Sequence, residues 1–350
     1  MMLAETANVR RILLIRPNHR LGNNVLMTPL LTEIEALFPQ ARIDVLTGGR
    51  ASHDLYAGFP QIASVHAFPA WSYIHPGKIL TIIRRIRQES YDLAIDPIPR
   101  SRSARLLLGL VNAQYKLGYR WGRRWRDAPL THMANTHTAP KHLGQMPVHL
   151  VRSLCGNASM RTPTLDLRLS EAEKSMGKRL LHRALGEISR LSQPGLRVLR
   201  IGVYGSATGK KQYSPRWWSA FLDDLQRGLE ATPHELIELL PHDGRSTFAG
   251  CMPSLLSNRL RELGAVLSAL DVFITADCGV MHLSSAAGTQ TIGLFKVTDA
   301  SRYGPYGHGS ASICAEDTAP QDAARAVVDH IRRVLPRESQ APLVQLSGRS

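Results

Sequence analysis

A chain of 350 residues, 43% of them hydrophobic, exceeds the usual size of a single core, so two domains of roughly 150 residues each are expected. Forty-three Lys and Arg against 28 Asp and Glu leave a formal charge of +15, which calls for an anionic partner without choosing among nucleic acid, membrane and phosphorylated glycan. The N-terminal MMLAETANVRR has no apolar core of a secretory signal, no apolar run approaches a membrane span, and four cysteines without a C-x-x-C fit reduced thiols, so a soluble cytoplasmic protein is expected.

In chain order, residues 12–15 read as a strand, 25–37 as a helix, 43–46 as a strand, 79–87 as an amphipathic helix, 93–95 as a strand and 103–111 as a helix. This alternation predicts a mostly parallel sheet covered on both faces. The polar stretch 127–147 interrupts it and reads as a loop at an interdomain cleft. A helix over 171–191 follows, a Ser-Gln-Pro-Gly break at 192–195, and then strands near 199–204, 236–240, 272–275 and 290–295 form a second doubly wound half. The boundary between halves is placed between about 165 and 197, and the tail after 337 has a composition that resists ordering.

The segment 271–295, DVFITADCGVMHLSSAAGTQTIGLF, carries the most chemistry. Val272 to Thr275 form a short β-prone run, Asp277-Cys278-Gly279 break it, residues 280–287 suit a helix and Gly288 closes it. A helix opening at a strand end turns its free N–H groups and positive dipole end into the crevice, which suits a diphosphate. Layout alone leaves open an ordinary βαβ crossover in which Asp277 caps a helix.

Asp277-Cys278-Gly279-Val280-Met281-His282, then Gly288-Thr289 and Tyr303-Gly304-Pro305, resembles the D-T-G-x-M-H, G-T and Y-G-P signature of glycosyltransferase family 9, the lipopolysaccharide heptosyltransferases. The strand RRILLIR at 10–16 with PNHRLGNNVLMTPLLTEIE after it is similar to the family's R-x-x-x-x-G-D-x-x-x-x-T-P-L-L segment, and LRIGVYG-SATGKKQYSPRWW from residue 199 is similar to its G-x-x-x-x-x-K-x-W segment. The resemblance spans roughly residues 10–310. It implies an α/β fold of GT-B type, two Rossmann-like doubly wound domains facing a central cleft. Residues 1–180 would bind the acceptor, 197–336 the nucleotide sugar, and 337–350 would be a flexible tail. It further implies an inverting transferase that moves heptose, or a related sugar, from an ADP-type donor such as ADP-heptose to a lipopolysaccharide-like glycan. No cofactor is expected beyond that donor substrate.

A departing diphosphate needs a divalent metal or fixed cations and N–H donors. The chain contains no D-x-D, so the metal-independent route is expected, with Lys211 and the helix opening near Val280 supplying positive charge. In the family the residues matching Lys211, Asp277, Cys278, Gly279 and His282 line the donor site, with Ser206 and Ala207 at the small residues near the phosphates. By residue type alone Lys210 and Lys211 read as solvated and His282 as a core histidine. Cys278 stands where the family has Thr and is a weaker donor.

The main departure is Gly22-Asn23 where the family carries Gly-Asp, whose carboxylate is its general base. An amide can orient a hydroxyl but cannot usefully take its proton, so Asn23 puts activity in doubt. His19 on the same loop is the candidate replacement base and Asp96 the second. Arg16, Arg20, Arg100, Arg102 and the Arg/Trp run from Arg120 to Arg126 gather toward the acceptor side, with Arg20, Asp96, Arg102 and Arg120 the candidate acceptor contacts. Such a run suits glycan phosphates, an anionic inner-leaflet surface, stacked bases or plain solvent. An anionic glycan is favoured, because Arg102-Ser103 matches the family's R-S; no nucleic-acid motif is present. The rival readings are the same scaffold with a different donor sugar and a catalytically silent nucleotide-sugar binder.

Overall fold

A computed structural model describes residues 8–49, 51–69, 76–156, 161–186, 198–316 and 318–334. The expected tail at 337–350 and the break at 192–195 lie outside these residues. The first sheet comprises β1 (Arg11–Arg16), β2 (Arg42–Gly48), β3 (Ile62–Phe68), β4 (Ser90–Asp96), β5 (Asn112–Tyr119) and β6 (His132–Ala134), ordered β3-β2-β1-β4-β5-β6. The second comprises β7 (Leu199–Tyr204), β8 (His234–Leu239), β9 (Ser254–Leu255), β10 (Val272–Ala276), β11 (Gln290–Phe295) and β12 (Ala311–Cys314), ordered β12-β11-β10-β7-β8-β9. Every strand pair is parallel, as the alternation of strands and helices demands. Strand order reverses direction between β1 and β4 in the first sheet and between β7 and β10 in the second. Loops leaving these strand ends diverge and open a crevice there.

Helices α1 (Leu21–Val25), α2 (Thr28–Leu37), α3 (Ala51–Tyr56), α4 (Pro76–Gln88), α5 (Arg102–Leu110), α6 (Arg124–Asp127) and α7 (Met146–Cys155) belong to the first half. α8 (Glu171–Leu185) leads to the second half, with α9 (Pro215–Gly228), α10 (Leu260–Leu267), α11 (Gly279–Ala286), α12 (Ala300–Tyr303) and α13 (Pro320–Val334). α4 and α5 cover one face of the first sheet through Ile86, Ala104, Leu107 and Leu108 on Leu13, Ile15 and Ala94. α2 and α7 cover the other, and that core runs on into Leu267, Phe273 and Leu283 of the second half. α9 and α13 close the far side of the second sheet through Trp218, Phe221, Val327 and Ile331.

Several expectations are corrected. The single helix over 25–37 is two helices, α1 and α2, because Pro29 cannot donate to the carbonyl of Val25 and is tolerated only in a first turn. The stretch 127–147 is not all loop: it holds the edge strand β6 and the start of α7. The helix expected to reach 191 starts on a Ser170–Glu173 capping box and ends at Leu185, before Gly186 at φ +67°. Its Gly177 lies against the carbonyl of Ala265, so α8 and α10 touch backbone to backbone; a Cβ there would come within 2.0 Å of that oxygen.

The halves are joined by polar contacts as well as by the shared core. Arg261 of α10 pairs with Glu173 at 2.5 Å and donates to the carbonyls of Leu167, Arg168 and Asp54. The Leu167 amide bonds to Ala286 O, and Leu143 to Arg302 O.

Candidate active site

At the second switch point two loops bring a lysine against a buried carboxylate. After β7 the chain passes Gly205, Ser206 and Ala207 into a tight turn at Gly209–Lys211. Tyr213 follows, stacked on Trp217 at 4.1 Å and edge-on to Trp218, which pins the end of this loop to α9. Lys211 Nζ lies 2.7 Å from Asp277 Oδ2, and the Thr298 hydroxyl donates to the same oxygen. Asp277 is 5% exposed while Lys211 keeps 28%, so the carboxylate fixes the lysine from within and the lysine side chain stays partly exposed.

Asp277 is therefore not the helix cap; Cys278 is. Its thiol is raised above the ordinary value by burial, against the Thr275 hydroxyl 3.4 Å away and the nearby amides of Met281 and Val280. Those amides are close to the sulfur but donate no capping hydrogen bond to it, so the first turn of α11 keeps donors for another acceptor. Tyr204, held up to about 12 by burial and then by Cys278, has Ser206 as a hydrogen-bond neighbour, so Ser206 and Cys278 meet around one phenol.

His282 is buried, with Nδ1 unpartnered, and its pKa is lowered to about 4 by burial and by His142 and Lys211, against Asp277. It is neutral near pH 7. Its ring lies against Gly22, where a Cβ would come within 2.6 Å of Cδ2, so α1, which stands in place of the expected loop at Gly22-Asn23, touches the donor-side helix directly. His142 extends the contact between halves, with Nε2 2.7 Å from Gly304 O and the ring edge-on to Tyr306.

On the first sheet Arg16 ends β1 and Asp96 ends β4, side by side at that switch point. Arg16 is buried, its Nε has no partner, and burial lowers its pKa against the opposing effects of Tyr56, Asp96 and Tyr303. A buried guanidinium without a full set of acceptors is suited to an incoming anion. Asp96 is fully buried and accepts from Arg105 Nε at 2.9 Å. Burial raises its pKa to about 6 although Arg105 and Arg16 oppose the shift; the Ile98 amide is near but completes no hydrogen bond with Oδ1.

The structure thus brings Lys211, Asp277, Cys278, Ser206 and His282 together, with α1 against them at Gly22. Ala207 is half-buried in the same loop and packs toward the aromatic core, and Gly279 abuts Leu21. Asn23 donates from Nδ2 to Asn18 Oδ1 at 3.1 Å. His19 is exposed and rests on Gly48, while Arg20, Arg102 and Arg120 lie on the surface of the first half. Thr298, Arg105 and His142 were not foreseen. Arg105 had a signal, since it shares the inward face of α5 with Ala104 and Leu108.

Residues 245–330 match the model of glycosyltransferase family 9 (heptosyltransferase). Lipopolysaccharide heptosyltransferase 3 of Escherichia coli strain K12 is 23% identical over 299 residues, 79% of this chain and 80% of that one. The chain is thus a distant relative of the heptosyltransferases of glycosyltransferase family 9. Among solved structures, the family 9 glycosyltransferase of Veillonella parvula superposes with a TM-score of 0.73 at 16% identity, over 95% of this chain and 98% of that one. The E. coli heptosyltransferase WaaC with ADP superposes at 0.69 and 17%, over 93% and 100%. The chain therefore has the GT-B-like architecture of two parallel sheets expected from its motifs.

Proposed function

We propose that this protein is an inverting, metal-independent glycosyltransferase that takes heptose, or a related sugar, from an ADP-type nucleotide sugar and adds it to an anionic lipopolysaccharide-like glycan. The observation that carries the reading is the convergence of the partly exposed Lys211 side chain and the first turn of α11, which has no side-chain cap, at one switch point, with α1 of the acceptor half against the same helix at Gly22. In this reading Lys211 and the α11 amides hold the diphosphate and stabilise its charge as the glycosidic bond breaks. Neutral His282 positions α1 through Gly22. Ser206, Ala207, Cys278 and Gly279 shape the nucleotide pocket, and Arg16, Arg20, Arg102 and Arg120 offer cations to acceptor phosphates.

Asn23 favours a second reading, a homologue that holds the nucleotide sugar without transferring it, because an amide bonded to Asn18 cannot serve as base. Asp96 is paired with Arg105 inside the sheet, which leaves His19 as the exposed loop group able to take a proton. Calorimetry with ADP and a transfer assay in excess EDTA test the assignment. ADP binding with EDTA-resistant transfer is the expected result; turnover restored only by Mg²⁺ or Mn²⁺ would overturn the metal-independent route. Among the described residues no helix is long and apolar enough to cross a membrane, so a lipid-linked acceptor would be reached from a bilayer surface.

A further inference from the structure

The Arg/Trp run of the sequence is folded into a defined shape. Trp121 lies between the guanidinium groups of Arg105 and Arg126, each 5.0 Å from its ring centroid, and Arg126 also covers Trp125 at 3.8 Å. Asp127 accepts from the amides of Trp121 and Gly122 at 2.9 and 3.0 Å and from Arg105, which itself donates to the carbonyls of Arg126 and Tyr119. The only carboxylate in the run is thus turned inward. Outward stand Arg123, Arg124 and Trp125, the last 63% exposed.

α5 continues this surface. It exposes Arg102, Leu106 and Leu110 along one stripe, with Leu106 69% exposed, and its Gly109 abuts Pro129 just beyond α6. Arg126 is shifted down by desolvation and by Arg102, Arg123 and Arg105, so these cations crowd one another. Among the described residues no carboxylate pairs with Arg102, Arg123, Arg124 or Arg126.

Unpaired arginines beside exposed Leu and Trp match the layers of an anionic membrane surface: phosphate for the guanidinium groups, the interface for Trp and acyl chain for Leu. A nucleic acid would use the arginines and could stack on Trp125, but offers nothing to Leu106 and Leu110. We propose that α5 and the 120–127 loop form the face by which this protein docks on an anionic lipid bilayer. This deepens the lipid-linked acceptor reading above and rests on it only for the purpose of docking.

The test is co-sedimentation of the full chain with vesicles of phosphatidylcholine alone and of phosphatidylcholine mixed with phosphatidylglycerol, at low and raised salt. Binding should need the anionic lipid and fall with salt. Arg123→Ser with Arg124→Ser should weaken it about fivefold per arginine, roughly 25-fold together, and Leu106→Ser with Trp125→Ser tenfold or more, while ADP affinity and transfer to a deacylated soluble acceptor stay unchanged. Binding indifferent to lipid charge or to both double variants would overturn the proposal, as would preference for a single-stranded oligonucleotide over the vesicles. Loss of ADP binding in the wild type with vesicle docking intact would instead remove the transferase reading and leave this surface standing.

Discussion

Lys211→Ala is the most informative single change, because one side chain serves both the fold and the proposed donor site. At 2.7 Å and an effective dielectric near 20, the pair with Asp277 has a gross attraction of about 6 kcal/mol, most of it offset by the desolvation of a carboxylate only 5% exposed. Removing the lysine leaves that carboxylate with the Thr298 hydroxyl alone, so the fold should lose about 2–3 kcal/mol. Loss of a charge-assisted contact to the diphosphate should weaken ADP binding by about 1.5–3 kcal/mol, roughly ten- to 150-fold in Kd. The two effects separate in the double variant Lys211→Ala with Asp277→Asn, in which no buried charge is stranded. Urea denaturation should show most of the stability regained, and calorimetry should show ADP binding still weak. Unchanged ADP affinity in the folded single variant would refute the donor assignment, and affinity returning together with stability would show that only the fold had been damaged.

The remaining predictions concern the loop and the pH dependence of the fold. Turnover should fall roughly 100-fold in His19→Ala and less in Asn23→Ala if His19 is the base, and Asn23→Asp should raise transfer if the chain is a silenced binder; a rate indifferent to both alanine variants removes this loop from the mechanism. Because the folded pKa of His282 is lowered to about 4, the unfolded chain takes up its proton below about 6.5 while the folded one does not, so stability is lost as pH falls through that window, by up to about 3 kcal/mol. Denaturation of wild type and His282→Gln at pH 7 and pH 4.5 should show the smaller loss in the variant, and equal losses would show that the imidazole is not held neutral by burial. Glu173 is lowered to about 2, chiefly by Arg261, so its contribution is present above about 4.5 and lost as pH falls toward 2. Glu173→Gln should therefore lower stability at neutral pH by about 1–3 kcal/mol, a difference that closes in acid; the same difference at pH 2 would assign it to packing.

The strands β1, β7, β10 and β11 were legible because each holds a short, mostly apolar run that is largely buried on both faces, and such a run states its own environment. β3 and β5 were not, since much of each alternates irregularly between half-buried and exposed positions and only the C-terminal ends are buried. The donor-side residues were legible for a different reason: the strand end, the turn and the first turn of α11 are contiguous, so one short motif displays them all.

Composition and local pattern alone determined the α/β class, the basic character and a helix opening near residue 280. Only the tertiary structure decided that Lys211 spends its charge on Asp277, that His282 meets Gly22, that Asp96 turns inward to Arg105, and that the Arg/Trp run stands beside the exposed leucines of α5. A residue's neighbours in sequence set its secondary structure through steric and hydrophobic pattern. Its partner across a cleft is set by strand order and by where crossing helices land, and those follow from burying two whole sheets at once.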